Sequence, residues 1–182
     1  MMNNKLLINI SLFIIFSTFF VGALKGQNEK IKWYSIEEAV ELNKKNPKKI
    51  FIDFYTTWCG WCKRMDATTF SHPWIIKYMN KHFYPVKFNA ETNKTITIGN
   101  KQFVNKNAGK KRGAHQFAIA ILQGKMSYPS IAFLDEKLQL LFSVPGYRKP
   151  KSMETFLVWV ATETYKNTSY EEFVKSYQNK VE

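Results

Sequence analysis

The only two cysteines of this 182-residue chain sit in Trp58-Cys59-Gly60-Trp61-Cys62-Lys63, just after the apolar run Ile50-Phe51-Ile52-Asp53-Phe54-Tyr55. Two thiols at this spacing can close into one small disulfide or open into a dithiol. The chemistry on offer is thiol–disulfide exchange, in which a thiolate attacks a disulfide sulfur through a mixed-disulfide intermediate. A helix beginning near Gly60 would set Cys59 at its N-terminus, where unpaired amide N–H groups and the positive end of the dipole favour a thiolate. Such sites lower a thiol pKa from about 8.5 to about 3.5–7.5. Cys59 is therefore the candidate nucleophile. Cys62 lies three residues on, faces the same side of the first turn and, being more buried, is the candidate resolving thiol.

Other chemistries use cysteine pairs. Zinc needs four ligands, and the chain has no second pair; His72, His82 and His115 are scattered. A purely structural bridge would close a tiny loop with little entropic benefit. Redox use is preferred over both, and no metal site is expected. A resolving thiol needs a base. Asp53 interrupts an otherwise apolar strand, where a carboxylate is costly without a role or a partner. Burial should raise its pKa and suit it to take a proton near neutrality. Lys87, in Pro85-Val86-Lys87-Phe88, is placed to pair with it from the neighbouring strand.

The elements that must position these groups read as alternating strands and helices, which gives an α/β fold. Ser35-Ile36-Glu37-Glu38 is a capping box opening a helix that ends by Pro47. Ile50–Tyr55 is a first central strand, and a helix from about Gly60 to Thr69 carries the cysteines. Ser71 is expected to cap a second helix with Pro73 in its first turn, turning Trp74, Ile75, Tyr78 and Met79 inward. Tyr84–Phe88 is a second central strand. Thr95–Ile98, Gly99-Asn100 and Lys101–Val104 read as a β-hairpin. A basic loop over Asn107–Gly113 and a helix over Ala114–Leu122 follow. The hairpin and loop could overhang the cysteines and select partners. Strands Ile131–Leu134 and Leu138–Val144, a helix over Lys151–Tyr165, and a helix capped by Ser169-Tyr170-Glu171-Glu172 complete the chain.

At this point the chain resembles the thioredoxin family. Asp53 through Lys63 is similar to that family's strand and active-site motif. Lys87 matches its lysine on the next central strand, Met126-Ser127-Tyr128-Pro129-Ser130 resembles its cis-proline segment, and Gly146 matches a family glycine. The likeness covers about residues 33–165. It implies a central mixed β-sheet flanked by helices, with the hairpin and loop of 92–113 inserted before the cis-proline. It also implies a cis Tyr128–Pro129 bond beside the sulfurs, with Tyr128 narrowing access and offering its backbone to an extended substrate. Trp58, Gly60 and Trp61 flank the pair. No bound cofactor is implied, since the Cys59–Cys62 pair itself carries the electrons. Two departures stand out. Trp61 occupies the place where thioredoxins proper have proline, so their potential is not inherited. The insertion and the Phe70-Ser71-His72-Pro73 break look more like secreted bacterial thioredoxin-like thiol:disulfide interchange proteins.

The N-terminal stretch has a basic start at Lys5, an apolar run from Leu6 to Leu24 and small residues at Gly22-Ala23. It reads as a signal peptide over 1–23, or to 26; an uncleaved anchor is the alternative. The rest, 27–182, is one domain with a helical extension over about 169–180. Export to the periplasm or beyond would make a lone cysteine pair a redox centre rather than a staple. The net charge is +13, and Lys106, Lys110, Lys111 and Arg112 form the densest basic group. With no nucleic-acid motif beside them, these charges are read as solvation. The expected activity is reduction or exchange of disulfides in protein substrates by a monomer, with a membrane electron-transfer partner and no nucleic acid. The rivals are a disulfide oxidase or isomerase and a non-catalytic interaction module.

Overall fold

A computed structural model describes residues 29–181. The segment read as a signal peptide lies outside them. The elements run α1 (Ile36–Lys45), β1 (Lys49–Tyr55), α2 (Gly60–Thr68), α3 (Pro73–His82), β2 (Phe83–Asn89), β3 (Ile96–Ile98), β4 (Lys101–Phe103), α4 (Gln116–Ile121), β5 (Ser130–Leu134), β6 (Leu140–Pro145), α5 (Pro150–Ala161), a 3₁₀ turn (Thr164–Lys166) and α6 (Tyr170–Ser176). Four strands form one mixed sheet in the order β2-β1-β5-β6. β1 pairs parallel with β2 and antiparallel with β5, and β5 pairs antiparallel with β6.

β1 is the central strand, and its side chains alternate between two cores, as the period of two requires. Ile50, Ile52 and Phe54 pack with α1, α4 and the hairpin, against Ile36, Val40, Phe117 and Ile96. Phe51 packs the other way with Met65 of α2, Met79 of α3 and Leu157 of α5. Asp53 shares the parity of Phe51, so the alternation itself carries the acid to the α2 side. The register sets Asp53 opposite Lys87 of β2 and Ile131 of β5.

Helix ends explain where the observed elements depart from the sequence reading. His72, not Ser71, caps α3: Pro73 occupies the first helical position, so the cap must be the residue before it, and His72 Nδ1 accepts the Trp74 N–H at 3.3 Å. The Ser71 hydroxyl instead donates back to the Ala67 carbonyl at 2.7 Å. Of the residues read as inward on α3, Ile75 and Met79 are buried, whereas Trp74 and Tyr78 are half-buried and stacked on each other. α4 begins at Gln116 rather than Ala114 because buried His115 is its cap, with Nδ1 accepting the Phe117 N–H at 3.1 Å. β6 begins at Leu140 because the Asp135 carboxylate accepts the N–H groups of Lys137 and Gln139 and holds Leu138 in a left-handed turn. Ser35 and Ser169 form the capping boxes read from their spacing.

Two buried charges tie distant parts of the chain together. Lys49, at the start of β1, is buried and held by Glu136 and Glu163 at 2.8 Å each. Glu163 has a left-handed backbone just after α5, so the helix expected to reach Tyr165 stops at Ala161. Glu154 of α5 is fully buried, and its carboxylate accepts the Lys180 and Val181 N–H groups and the Tyr177 hydroxyl, each at 2.8 Å. That capture ends α6 at Ser176 and leaves Tyr177–Val181 outside any helix, where a helical extension to 180 was expected. Replacing Glu154 by Ala should destabilise the protein by about 2–4 kcal/mol, because several buried donors lose their acceptor together. Denaturant melts should show the loss, with amide-exchange protection at Lys180 and Val181 falling first.

Candidate active site

Cys59 is the N-cap of α2. Its backbone is extended (φ −74, ψ 101), and its sulfur accepts the Cys62 N–H at 3.0 Å. A side-chain acceptor at this position takes up one of the otherwise unpaired N–H groups of the first turn. The Cys59 N–H in turn bonds the Thr56 carbonyl at 3.2 Å, which fixes the link from β1 into the helix. Cys59 and Cys62 are joined in a disulfide with their Cα atoms 5.3 Å apart. Exposure is 4% at Cys59 and 2% at Cys62. The sequence reading had Cys62 as the more buried thiol; in the structure both residues are buried alike.

Asp53 is 1% exposed. Burial raises its pKa to about 6; Lys87 opposes the rise and Asp66 adds to it. One carboxylate oxygen, Oδ2, accepts from Lys87 Nζ at 2.8 Å, while Oδ1 is buried with no hydrogen-bond partner. That free acceptor is where a proton can land. Lys87 also grips Asp66, and its ammonium sits 4.9–5.3 Å from the ring centres of Trp33, Tyr55 and Phe70. Burial works against the lysine's charge, yet the two carboxylates outweigh it and hold its pKa above the ordinary value. A cleft of about 970 Å³ reaches Lys87 and Asp66 between Trp33, Phe70 and Ile76. The buried acid is thus linked to solvent through one lysine.

Two tryptophans flank the disulfide. Trp58 is 51% exposed; its indole N–H donates to Glu91, its ring meets Tyr128 edge-on at 6.0 Å, and the Arg112 guanidinium lies 5.1 Å over it. Trp61 is 55% exposed and leans on Tyr147, with Arg64 5.2 Å over its ring. The Tyr128–Pro129 bond is cis, and Ser130 beyond it pairs with Phe54 near the end of β1. Burial, with Glu91 adding, pushes the Tyr128 phenol up to about 12. Gly146 has φ +92, and its N–H bonds the Pro129 carbonyl at 2.8 Å, holding the segment in place. Gly60 has an ordinary φ and open space where a Cβ would stand, so no steric demand selects glycine there.

The structure thus sets Cys59 and Cys62 at the start of α2, Trp58 against Tyr128, Asp53 against Lys87, and Gly146 against Pro129. The inserted segment divides in two. The hairpin packs on α1, where Thr97 N–H reaches Glu37, whereas the loop after it brings Arg112 to Trp58. The sequence reading missed Asp66, Glu91, Arg64 and Tyr147. Asp66 had a signal, since it is four residues after Cys62 and so shares its helix face. The others are brought in by tertiary packing. Among the described residues no cluster of His, Cys, Asp and Glu is placed to hold a metal ion; two of the histidines are helix caps.

A family model described as a thioredoxin-like domain matches residues 36–161. The chain belongs to the thioredoxin-like family. Among solved structures, a thioredoxin from Thermus thermophilus superposes with a TM-score of 0.55 at 16% identity, covering 82% of this chain and 99% of its own. A putative disulphide-isomerase from Bacteroides thetaiotaomicron gives 0.52 at 22% identity, covering 76% and 98%. At such identities the likeness is one of fold. An uncharacterised protein of Archaeoglobus fulgidus is 32% identical over 74 residues, 40% of this chain, and the match spans 58% of that relative's length. Fold and cysteine pair together point to thiol–disulfide oxidoreductase chemistry.

The Asp53 pKa makes a stability prediction. A carboxylate with a folded pKa of about 6, above its ordinary 3.8, binds its proton more tightly in the folded chain. Its contribution is full below about pH 3.8 and is lost as pH rises through about 6. Asp53→Asn should remove that slope and be more stable than wild type at pH 7.5, by up to ~3 kcal/mol. The advantage should vanish towards pH 4, as read by urea melts across pH.

Proposed function

We propose that this chain is an exported thiol–disulfide oxidoreductase that reduces or exchanges the disulfides of proteins. The observation that carries the reading is the Cys59–Cys62 disulfide closed over the first turn of α2, with the Cys59 sulfur as the helix cap. In the reduced protein the same cap interaction favours the Cys59 thiolate. That thiolate attacks one sulfur of a substrate disulfide. The substrate S–S bond breaks, a mixed disulfide forms, and the departing sulfur takes a proton. Cys62 then gives up its proton and attacks the Cys59 sulfur. The mixed bond breaks, the second substrate thiol leaves, and the Cys59–Cys62 bond closes. The substrate gains two electrons and two protons, and the dithiol loses them.

Asp53 is the proposed acceptor of the Cys62 proton. Its support is a pKa raised to about 6 and an unpartnered Oδ1, which leave it ionised yet basic near neutrality. Lys87 and Gly146 are positioning residues, one for the acid and one for the proline segment. Trp58, Gly60, Trp61, Tyr128 and Pro129 form the proposed substrate surface. In its support, the backbone N–H and C=O of Tyr128 make no hydrogen bond among the described residues, so an extended peptide can pair there.

A reductase must be recharged, and a dithiol protein at the membrane is the proposed donor. The exported setting rests on the N-terminal apolar segment, and the chain is proposed to act as a monomer on proteins rather than nucleic acid. Oxidase or isomerase activity is the alternative reading, because Trp61 stands where thioredoxins have proline and their potential is not inherited. A measured potential near −270 mV decides for reduction, and one near −180 mV or above for exchange or oxidation.

Cys59→Ser should reduce insulin disulfide cleavage to background. Cys62→Ser should retain a single attack and accumulate mixed disulfides visible on non-reducing gels. Asp53→Asn should slow turnover by about 10²-fold and flatten the pH–rate profile. If Cys59→Ser matches wild type, the chain is an interaction module rather than an enzyme.

A further inference from the structure

Two arginines lie against the tryptophans that flank the disulfide. Arg112 lies 5.1 Å over Trp58 and Arg64 5.2 Å over Trp61, so each tryptophan beside the reactive bond has a guanidinium over its ring. A guanidinium held this way can still bind a carboxylate in a two-pronged fashion. Neither arginine takes part in an ion pair among the described residues, nor do Lys63, Lys110 and Lys111. All five are exposed. Glu91 is the acid that touches this layer, and both its oxygens are turned to the Trp58 indole N–H.

The loop that supplies Arg112 is built. The Asn105 side-chain amide donates to the carbonyls of Thr92 at 3.1 Å and Gly113 at 2.9 Å, tying the loop to the chain that follows β2. The His115 N–H bonds the Ala90 carbonyl at 2.8 Å. Gly113 is so close to the Asn107 carbonyl that no Cβ fits. Arg112 itself adopts a left-handed backbone (φ 59), uncommon for a residue with a side chain. Charges that serve only solubility need none of this order.

We propose that this surface is a basic docking face for acidic polypeptide, selecting disulfides flanked by Asp or Glu, with Arg112 and Arg64 as its specificity-determining residues. The inference rests on the oxidoreductase reading and names its substrate class. An acidic polypeptide is the occupant because whatever covers this face must bring a sulfur to Cys59. A membrane or nucleic acid lying on the same arginines would bury the reactive bond instead. Opposite charges also steer encounter and set partner choice, in a way that salt screens.

The test uses two disulfide-bonded peptides of equal length, one with Asp/Glu and one with Lys beside the cysteines, reacted with the reduced full chain. At low salt the acidic peptide should be reduced ~10-fold or more faster in its second-order rate constant, measured over the single reaction of the reduced chain, and ~0.5 M NaCl should remove most of that gap. Arg112→Glu with Arg64→Glu should reverse the preference. Gly113→Ala keeps every charge but displaces the loop, and should narrow the gap if the placement of Arg112 matters; circular dichroism checks that each variant is folded. Equal rates for the two peptides in wild type, or a preference unmoved by salt and by both arginine changes, overturn the proposal and leave the oxidoreductase reading intact. If neither peptide reacts, that reading fails, and equilibrium binding of both peptides to the oxidised chain judges the docking face alone; equal affinities overturn it. Tighter binding to anionic vesicles or to DNA than to the acidic peptide overturns it as well.

Discussion

One amide group organises the working end of this protein. The N–H of Cys62 points at the sulfur of Cys59 and makes a cysteine do what Ser, Thr, Asp or Asn does at other helix starts. Because the cap is a sulfur, the residue that begins the helix is also one half of the disulfide. The consequence runs through the surroundings. β1 delivers the chain to this point as the central strand, buried from Lys49 to Phe54. The Thr56 carbonyl must hold the Cys59 N–H, and the side chains nearest the bond must shelter it without sealing it, which the two half-exposed tryptophans do.

At Asp53 the decisive balance is between burial and charge. An ionised Asp53 in a core position costs several kcal/mol if alone. Lys87 offsets that cost only in part, because it is shared with Asp66 and surrounded by three aromatic rings. Burial is the main cause of the raised Asp53 pKa, Lys87 opposes it, and Asp66 adds a smaller push in the same direction as burial.

Much of this was legible in the sequence. Cys59, Cys62, Asp53 and Lys87 announce themselves by type, spacing and the apolar company they keep, and period-two alternation in Ile50–Tyr55 already separates Asp53 from Ile52 and Phe54. The hairpin was legible because Gly99-Asn100 is a turn between alternating runs, and the structure forms it there. What was not legible depends on partners distant in the chain. Arg112 looked like one more solvated cation, and nothing near it in sequence says that it rests on Trp58. Glu154 drew no reading from the sequence, yet it holds the Lys180 and Val181 N–H groups and the Tyr177 hydroxyl. Histidines at 72 and 115 cap helices, a use that spacing alone does not distinguish from ligation.

The buried lysine at the start of β1 has a practical side. Lys49 is enclosed, and although burial works against its charge, Glu136 and Glu163 keep it protonated beyond the ordinary range. Acylating reagents consume free amines, so this side chain stays silent while the many exposed lysines are labelled. Appearance of label at position 49 would mark molecules in which the far end of the sheet has come apart, giving mass spectrometry a built-in gauge of global opening.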